Sequence, residues 1–324
     1  MQKAGAKVDI LVMDQSWKSS KEKRLNYIQF YKDVFFFKNY QHYDLVYINH
    51  FPHIFPSLVP NLRKIKAGLI HWHGSEIYAA NKQSRILNRI SHKLIPKKFR
   101  HITPSGYFAG CVANELGIEK SSIMVSPSGG VDTDIFVPRP EPKDSKQITL
   151  GFTSAIDHGK GGDLLVALVK ELPRLEKQFE KTIRLKLIRY GSGKEKYLGQ
   201  MEGSGYLDVI DPIAKETMPE LYNSFDILLF PTRRKAESLG LVALEAMACG
   251  VPVVGSNDFA IQDYVISGQT GETFTTGVAA EFVQAVESCI SQLNTYDPRK
   301  MVMTDYSKQS VVGFYKQMFK EYID

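Results

Sequence analysis

Cysteine is scarce in this chain. Its three residues, Cys111, Cys249 and Cys289, lie far apart among 324 residues, so neither a disulfide framework nor a zinc spacing is suggested, and a reducing, cytoplasmic setting fits. Long hydrophobic runs are missing too. Apolar stretches such as "DILVM" and "DILLF" fall far short of the ~20 residues of a spanning helix, and the start has no signal-peptide plan; both argue against secretion and membrane spanning. No internal repeat and no low-complexity tract interrupts the chain. A strong charge imbalance is also lacking. The net charge of +6 and the pI near 8.9 suit a phosphate-bearing partner without demanding nucleic acid. What is present, 43% hydrophobic and 23% charged residues, is the composition of a globular protein.

Apolar runs alternate with helical patterns. "VDILVM", "YDLVYI", "AGLIHW", "SIMVSP", "ITLGFT", "IRLKLIRYG", "DILLFPT" and "VPVVGS" read as buried strands, and their separation by helices predicts parallel sheets of the α/β class. The proline-rich, charged stretch Val137–Gln147 reads as a linker. The expected architecture is two Rossmann-like domains facing across a cleft: residues 1–140, residues 141–305, and a C-terminal amphipathic helix over 306–324 packing back towards the first domain. Val311, Phe314, Tyr315, Met318 and Tyr322 fall at helical spacing in it. The opening "MQKAGAKVDILVMD" reads as a helix end, a glycine turn and a strand. A Rossmann domain opens with a strand, a glycine-rich loop and a helix, so the first strand and glycine loop are expected to be missing. That fits either a start at an internal methionine or a degenerate, inactive copy.

The most informative stretch is "ESLGLVALEAMACGVPVVG", from Glu237 to Gly255. A helix is predicted from Leu239 or Gly240 to Cys249–Gly250, with Gly250 just past its end and Pro252 blocking continuation. Glu237 then sits at the helix N-terminus, and Glu245 lies in the second turn, about 8 Å further on at ~1.5 Å per residue. Helix N-termini favour phosphate, and Gly240 permits close backbone approach. The helix is apolar nearly all round, so Glu245 needs hydrogen-bond donors, which ribose hydroxyls would supply. A buried core helix with one internally paired glutamate is the plainer alternative.

The pattern of glutamate, seven residues, glutamate, then Ala-Met-Ala-x-Gly-x-Pro-Val resembles the signature of glycosyltransferase family 4, retaining enzymes with the GT-B fold. Leu239 stands where that family often has phenylalanine. "PSGGVDTDIFVP", "LGFTSAIDHGKGGDLLVALVKEL", "LIRYGSG", "IQDYVISGQTGETF" and "IHWHGSEI" extend the likeness over most of the chain. The resemblance implies a hexosyltransferase that moves sugar from a nucleotide-diphosphate donor to a glycan or lipid-linked acceptor in polysaccharide or glycolipid synthesis, with no cofactor and no metal. It implies that Glu237 contacts the transferred sugar and that the amides of Ser238, Leu239, Gly240 and Leu241 meet sugar and diphosphate. Glu245 would hold the ribose, and Lys160 would stabilise the departing diphosphate. Gly191 lies in the family's glycine-rich turn. His73 would line the acceptor side; a strand-end histidine bonded to backbone is the alternative. Localisation would be cytoplasmic, peripheral on the inner face of the membrane.

One departure is electrostatic. Family members often carry an arginine five or six residues before the lysine, where this chain has Ala155 and Ser154. Arg233, Arg234 or Lys235 is a candidate replacement on the leaving phosphate; a solvated basic loop is the alternative. "DTD" at Asp132–Asp134 precedes the linker and is read as a turn, not a metal motif. "GSGK" at Gly191–Lys194 lacks the earlier glycine of a phosphate loop, and "HWH" lacks a third metal ligand. Residues 81–101 carry seven Lys/Arg and no acid. Arg85, Arg89 and Lys93 fall on one helical face and Ile86, Leu87, Ile90 and Leu94 on the other, the plan of an element for an anionic membrane surface or of an ordinary domain helix. Rival functions are a nucleotide-sugar epimerase, whose family lacks the signature, and a non-catalytic GT-B binding or partner subunit. A nicotinamide-dependent oxidoreductase is a further rival, disfavoured because no dinucleotide fingerprint is present.

Overall fold

A computed structural model describes residues 1–13, 16, 18–79, 81–139 and 144–323, without the side chains of 322 and 323. Tyr322 and the centre of the proline-rich linker therefore lie outside the described residues. The elements run α1 (Ser20–Phe36), β1 (Val46–Asn49), α2 (Phe51–Leu58), β2 (Gly68–His71), α3 (Gly74–Ile77), α4 (Lys82–Lys93), β3 (Arg100–Thr103), α5 (Gly106–Leu116) and β4 (Ile123–Val125). They continue with β5 (Gln147–Phe152), α6 (Gly162–Phe179), β6 (Thr182–Ile188), α7 (Lys194–Met201), β7 (Leu207–Ile210), α8 (Met218–Asn223), β8 (Ile227–Phe230) and α9 (Leu241–Ala248). Last come β9 (Val253–Ser256), β10 (Gly271–Phe274), α10 (Ala279–Ser291), α11 (Pro298–Met301) and α12 (Lys308–Ile323). The chain divides into two compact units, Met1–Ser128 with Val311–Asp324, and Gly129–Ser310.

The first unit is built on a four-stranded parallel sheet in the order β1-β2-β3-β4. One face buries Ile48, Ile70 and Trp72 against Phe51, Phe55, Phe108 and Val112. On the other, Leu69 and Ile102 are buried with Val311, Tyr315 and Met318 of α12. Helix α5 shows how local sequence sets boundaries. Ser105 accepts the Phe108 N–H at 3.1 Å as N-cap, and Gly117 ends the helix in the left-handed region.

One sequence expectation is corrected here, and one open alternative is narrowed. Val8–Met13 is not a strand: it pairs with no described strand, and Ile10 and Val12 are exposed. An apolar run becomes a strand only where a neighbouring edge takes its backbone hydrogen bonds. In α4, for which both an exposed and a packed apolar face were open, Leu87 packs on the core but the other aliphatic positions point outward. Ile86, Ile90 and Leu94 are 52, 48 and 51% exposed, while Asn88 and Ser91 are buried. Asn88 Nδ2 donates to the Glu76 carbonyl at 2.7 Å, which anchors α4 on α3 through its polar side. Hydrogen bonding to buried backbone outweighs burial of three aliphatic tips.

The second unit holds a six-stranded sheet in the order β10-β9-β8-β5-β6-β7, parallel throughout. The chain starts at the central β5, winds outward to β7, then returns to β8 and winds the other way. β5 and β8 are therefore neighbours whose following connections diverge, and a crevice opens at their carboxyl ends. Leu164, Leu165, Leu168, Leu172 and Leu175 form the buried stripe of α6 against Leu150, Leu185 and Phe282. Strands β3, β7 and β10 carry charged or polar residues, and the apolar-run reading did not include them.

Gly151, in central β5, lies flat under the Phe225 ring, where an added Cβ would overlap the ring. Gly151→Ala is expected to cost about 1–3 kcal/mol, as overpacking does in a filled core. The urea midpoint read by circular dichroism checks this.

Candidate active site

The two loops at the β5–β8 crevice carry the main sequence candidates. After β5, Asp157 caps a short turn by accepting the Lys160 N–H at 2.9 Å, and Gly161 takes a left-handed conformation with its Cα against Pro231. These constraints hold Lys160 at the mouth of the strand. After β8, residues 231–240 loop back towards it. Lys160 Nζ and the Glu237 carboxylate form a close ion pair, and both side chains are largely buried. The same ammonium lies 5.0 Å from the Phe230 ring centroid.

Helix α9 starts beside this pair. Gly240 is its N-cap with φ +82°, and an added Cβ would meet the Tyr264 hydroxyl at 2.5 Å, so glycine is required twice over. Tyr264 donates to the Leu239 carbonyl at 2.8 Å and pins the turn. Among the described residues, the backbone N–H groups of Ser238, Leu239, Gly240 and Leu241 donate no hydrogen bond. Four unpaired donors at a helix N-terminus, next to an ammonium, form a place for an anion.

Glu245 lies one turn on and is half-buried. The sequence reading left it without a partner in the chain. The structure corrects this: the buried Tyr222 hydroxyl donates to Glu245 Oε2 at 3.0 Å, and Oε1 has no hydrogen bond among the described residues. Burial raises the Glu245 carboxyl above its ordinary value, against the pull of the Tyr222 bond and the Lys215 charge.

Arg233 is spoken for as well. Its two terminal nitrogens grip Asp163, at the start of α6, at 2.6 and 2.8 Å, and Arg234 pairs with Asp157 at 2.5 Å. A bidentate fork leaves Arg233 little to offer a phosphate. Gly191, with φ +111°, follows β6 and sits against the Ile156 backbone, which ties the glycine-rich turn to the loop after β5. Asp132, of the "DTD" turn, is ion-paired to Lys308.

The first unit has its own cluster at the carboxyl ends of β1 and β2. Asn49 and His71 end these strands in register. The rings of His50, His73 and His71 form a row with centroids 4.5 and 4.4 Å apart. Glu76, fully buried, accepts the His73 N–H at 2.6 Å, and its other oxygen is 3.6 Å from His50 Nδ1. His73 Nε2 shares a 3.2 Å hydrogen bond with Asn49 Oδ1. His71 Nδ1 meets the Tyr47 hydroxyl, which also contacts Tyr315 of α12 at 3.0 Å. The environment separates the three rings. The Glu76 contact raises His50, burial lowers His73, and burial with two neighbouring imidazoles pushes His71 down to about 3. His73 is thus the N-cap of α3, and its ring bonds the Asn49 side chain rather than backbone.

Lys160, Glu237, Ser238–Leu241, Gly191, Arg233 and Glu245 all fall in the second unit, and His73 in the first. Sequence reasoning missed Tyr222, Asp163, His50, Asn49 and Glu76. A capping Asp ahead of a helix signals Asp157, and a glutamate on an apolar helix calls for a donor, but no spacing points to Tyr222 as that donor.

Residues 147–292 match the family model described as "Glycosyl transferases group 1". A D-inositol 3-phosphate glycosyltransferase of Gordonia bronchialis is 25% identical over 184 residues, which cover 52% of this chain and 39% of that protein. The chain therefore spans less than half the length of that relative. Among solved structures, sucrose-phosphate synthase from Thermosynechococcus elongatus superimposes with a TM-score of 0.73 at 17% identity, covering 95% of this chain and 80% of the other. Anabaena Alr3699/HepE, in complex with UDP and glucose, gives 0.70 at 15%, covering 94 and 84%. The fold is GT-B.

The Arg233–Asp163 pair predicts a stability effect. Burial alone would raise the Asp163 carboxyl, but the Arg233 bonds outweigh it and the group titrates below its ordinary value. Such a carboxylate contributes stability that is full above the unfolded value near ~4 and is lost as pH falls through the folded one. Arg233→Ala should therefore lower the urea midpoint at pH 6, with the gap to wild type narrowing below about pH 4. Weakened donor binding at unchanged stability would instead return Arg233 to a phosphate-binding role.

Proposed function

We propose that this chain is a retaining glycosyltransferase that transfers a hexose from a nucleotide-diphosphate sugar to a glycan or lipid-linked acceptor. The observation that carries the reading is the row of unpaired N–H groups at Ser238–Leu241, set beside Lys160 at the β5–β8 crevice. The match of residues 147–292 to the glycosyltransferase model and the UDP in the Anabaena homologue of the fold support it.

The chemistry follows from charge. A retaining reaction on the same face as the leaving group needs no protein nucleophile; the protein must stabilise a departing diphosphate and an oxocarbenium-like sugar. The helix N-terminus and Lys160 would take the diphosphate. Glu237, released from Lys160 by that anion, would accept hydrogen bonds from the transferred sugar. Glu245 would hold the ribose, and His73 would face the acceptor. Glu237→Ala should lower kcat by roughly 10²–10³ with donor affinity little changed, as loss of one preorganised transition-state contact does. Glu245→Ala should weaken donor binding roughly tenfold, with kcat nearly intact. Calorimetry with nucleotide sugars and a transfer assay separate the two. Small, equal effects would leave the stretch as a core helix.

The outward face of α4 favours an acceptor at an anionic membrane. Ile86, Ile90 and Leu94 protrude beside Arg85, Arg89, Lys93 and Lys97, with no acid between residues 81 and 100, so aliphatic tips and cations would meet acyl chains and headgroups together. This reading puts the enzyme on the cytoplasmic face. In flotation assays at low salt, the protein should rise with phosphatidylglycerol vesicles and not with phosphatidylcholine ones, and Ile86→Ser with Ile90→Ser should abolish the difference. Equal flotation with both vesicles counts against it.

A further inference from the structure

We infer that Tyr222 is a positioning residue for donor recognition: its hydroxyl occupies Oε2 of Glu245 and holds the carboxylate so that Oε1 is presented to the ribose diol of a nucleoside diphosphate. This rests on the reading of Glu245 as the ribose contact. A glutamate on a helix of alanines, leucine and methionine has three rotatable bonds and no polar neighbour on its own turn to choose among its rotamers. Tyr222 supplies the choice from another element. It sits on α8, is fully buried, and is packed edge-on against Phe225 at 6.2 Å and tilted against Phe136 at 6.0 Å. Its ring is locked, so the hydroxyl is a fixed point, and the 3.0 Å bond fixes the carboxylate in turn.

The identity of the residue matters. A lysine or arginine at this point would neutralise Glu245 and compete with the ligand for it. A tyrosine takes one of about four lone-pair directions and leaves the negative charge in place. Burial drives the Tyr222 phenol far above its ordinary value, with Glu245 adding to the rise and the Thr153 hydroxyl opposing it, so it remains a donor at any working pH. The elements packed on α9 bring Tyr222 and Glu220 on α8, Lys215 ahead of it, Cys249 at the helix end, and Arg299, Lys300, Asp305 and Tyr306 from α11 onward. Of these, Tyr222 acts most strongly on the Glu245 carboxyl and Lys215 next; both favour its charged form against burial.

The test compares ribose with its absence. The full chain is titrated by calorimetry with UDP and GDP, and with the 2′,3′-dideoxy form of whichever binds. Wild type should prefer the ribose form by roughly tenfold or more, the size of hydrogen bonds to a charged group. Tyr222→Phe should cut that preference several-fold and leave the dideoxy affinity unchanged. It should also move the acid limb, where the preference disappears, to higher pH. A Tyr222→Phe protein with the wild-type ratio and acid limb overturns the inference alone. Wild type that binds neither nucleotide, or both forms equally, overturns the ribose reading and the inference with it. If Tyr222→Phe does not fold, Glu245→Gln keeps an acceptor for Tyr222 but removes the charge. It should retain part of the ribose preference without the acid limb; an unchanged limb overturns the proposal.

Discussion

Two opposite charges at the mouth of the β5–β8 crevice set the terms for the second unit. Lys160 and Glu237 are both mostly shielded from water, and each would be costly there without the other. Their pairing explains why two loops separated by 77 positions are held so tightly. Asp157 caps the Lys160 turn, Gly161 lets it approach Pro231, and Tyr264 clamps the turn before α9. It also gives the free protein a closed electrostatic circuit. Under the proposed function, an incoming diphosphate would compete for the ammonium, and the carboxylate so released would need new donors in the same place. Anion binding and sugar binding would then be one event that starts from this ion pair.

Much of this was legible in the sequence, for physical reasons that differ from element to element. The β5, β6, β8 and β9 segments bury most of their residues and are rich in Ile, Leu, Val and Phe, and buried parallel strands leave that trace. The α9 boundaries were readable because Gly240, Gly250 and Pro252 act through local backbone geometry. Lys160 and Glu237 were readable only through likeness to a family signature, and nothing in their spacing says that they touch. Tyr222 was not readable, because a hydrogen bond between α8 and α9 is a product of how two helices pack. The orientation of α4 was left open by the sequence: periodicity identifies the apolar positions, but the buried backbone carbonyl taken by Asn88 decides which side turns inward. The strand assigned to Val8–Met13 failed because composition cannot supply a pairing edge.

The first unit uses its polar residues differently. Its three histidines are stacked in a row, yet Glu76 and burial pull their proton affinities apart, so the row offers a cation-prone ring at His50 and a neutral one at His71. Asn49 and Tyr47 attach this row to β1, and Tyr315 attaches it to α12. The polar cluster is thus braced by the same helix that closes the apolar core behind it.

That helix has a consequence for how the chain matures on the ribosome. The second unit is continuous, from Gly129 to Ser310, whereas the first needs residues from Val311 onward to bury Leu69 and Ile102. Domains ordinarily complete in the order in which they are made. Here the first unit keeps one side of its sheet uncovered until α12 has followed the whole of the second unit. The β2–β3 face is therefore an apolar surface during synthesis, with Leu69 and Ile102 uncovered, although α12 covers it in the folded chain.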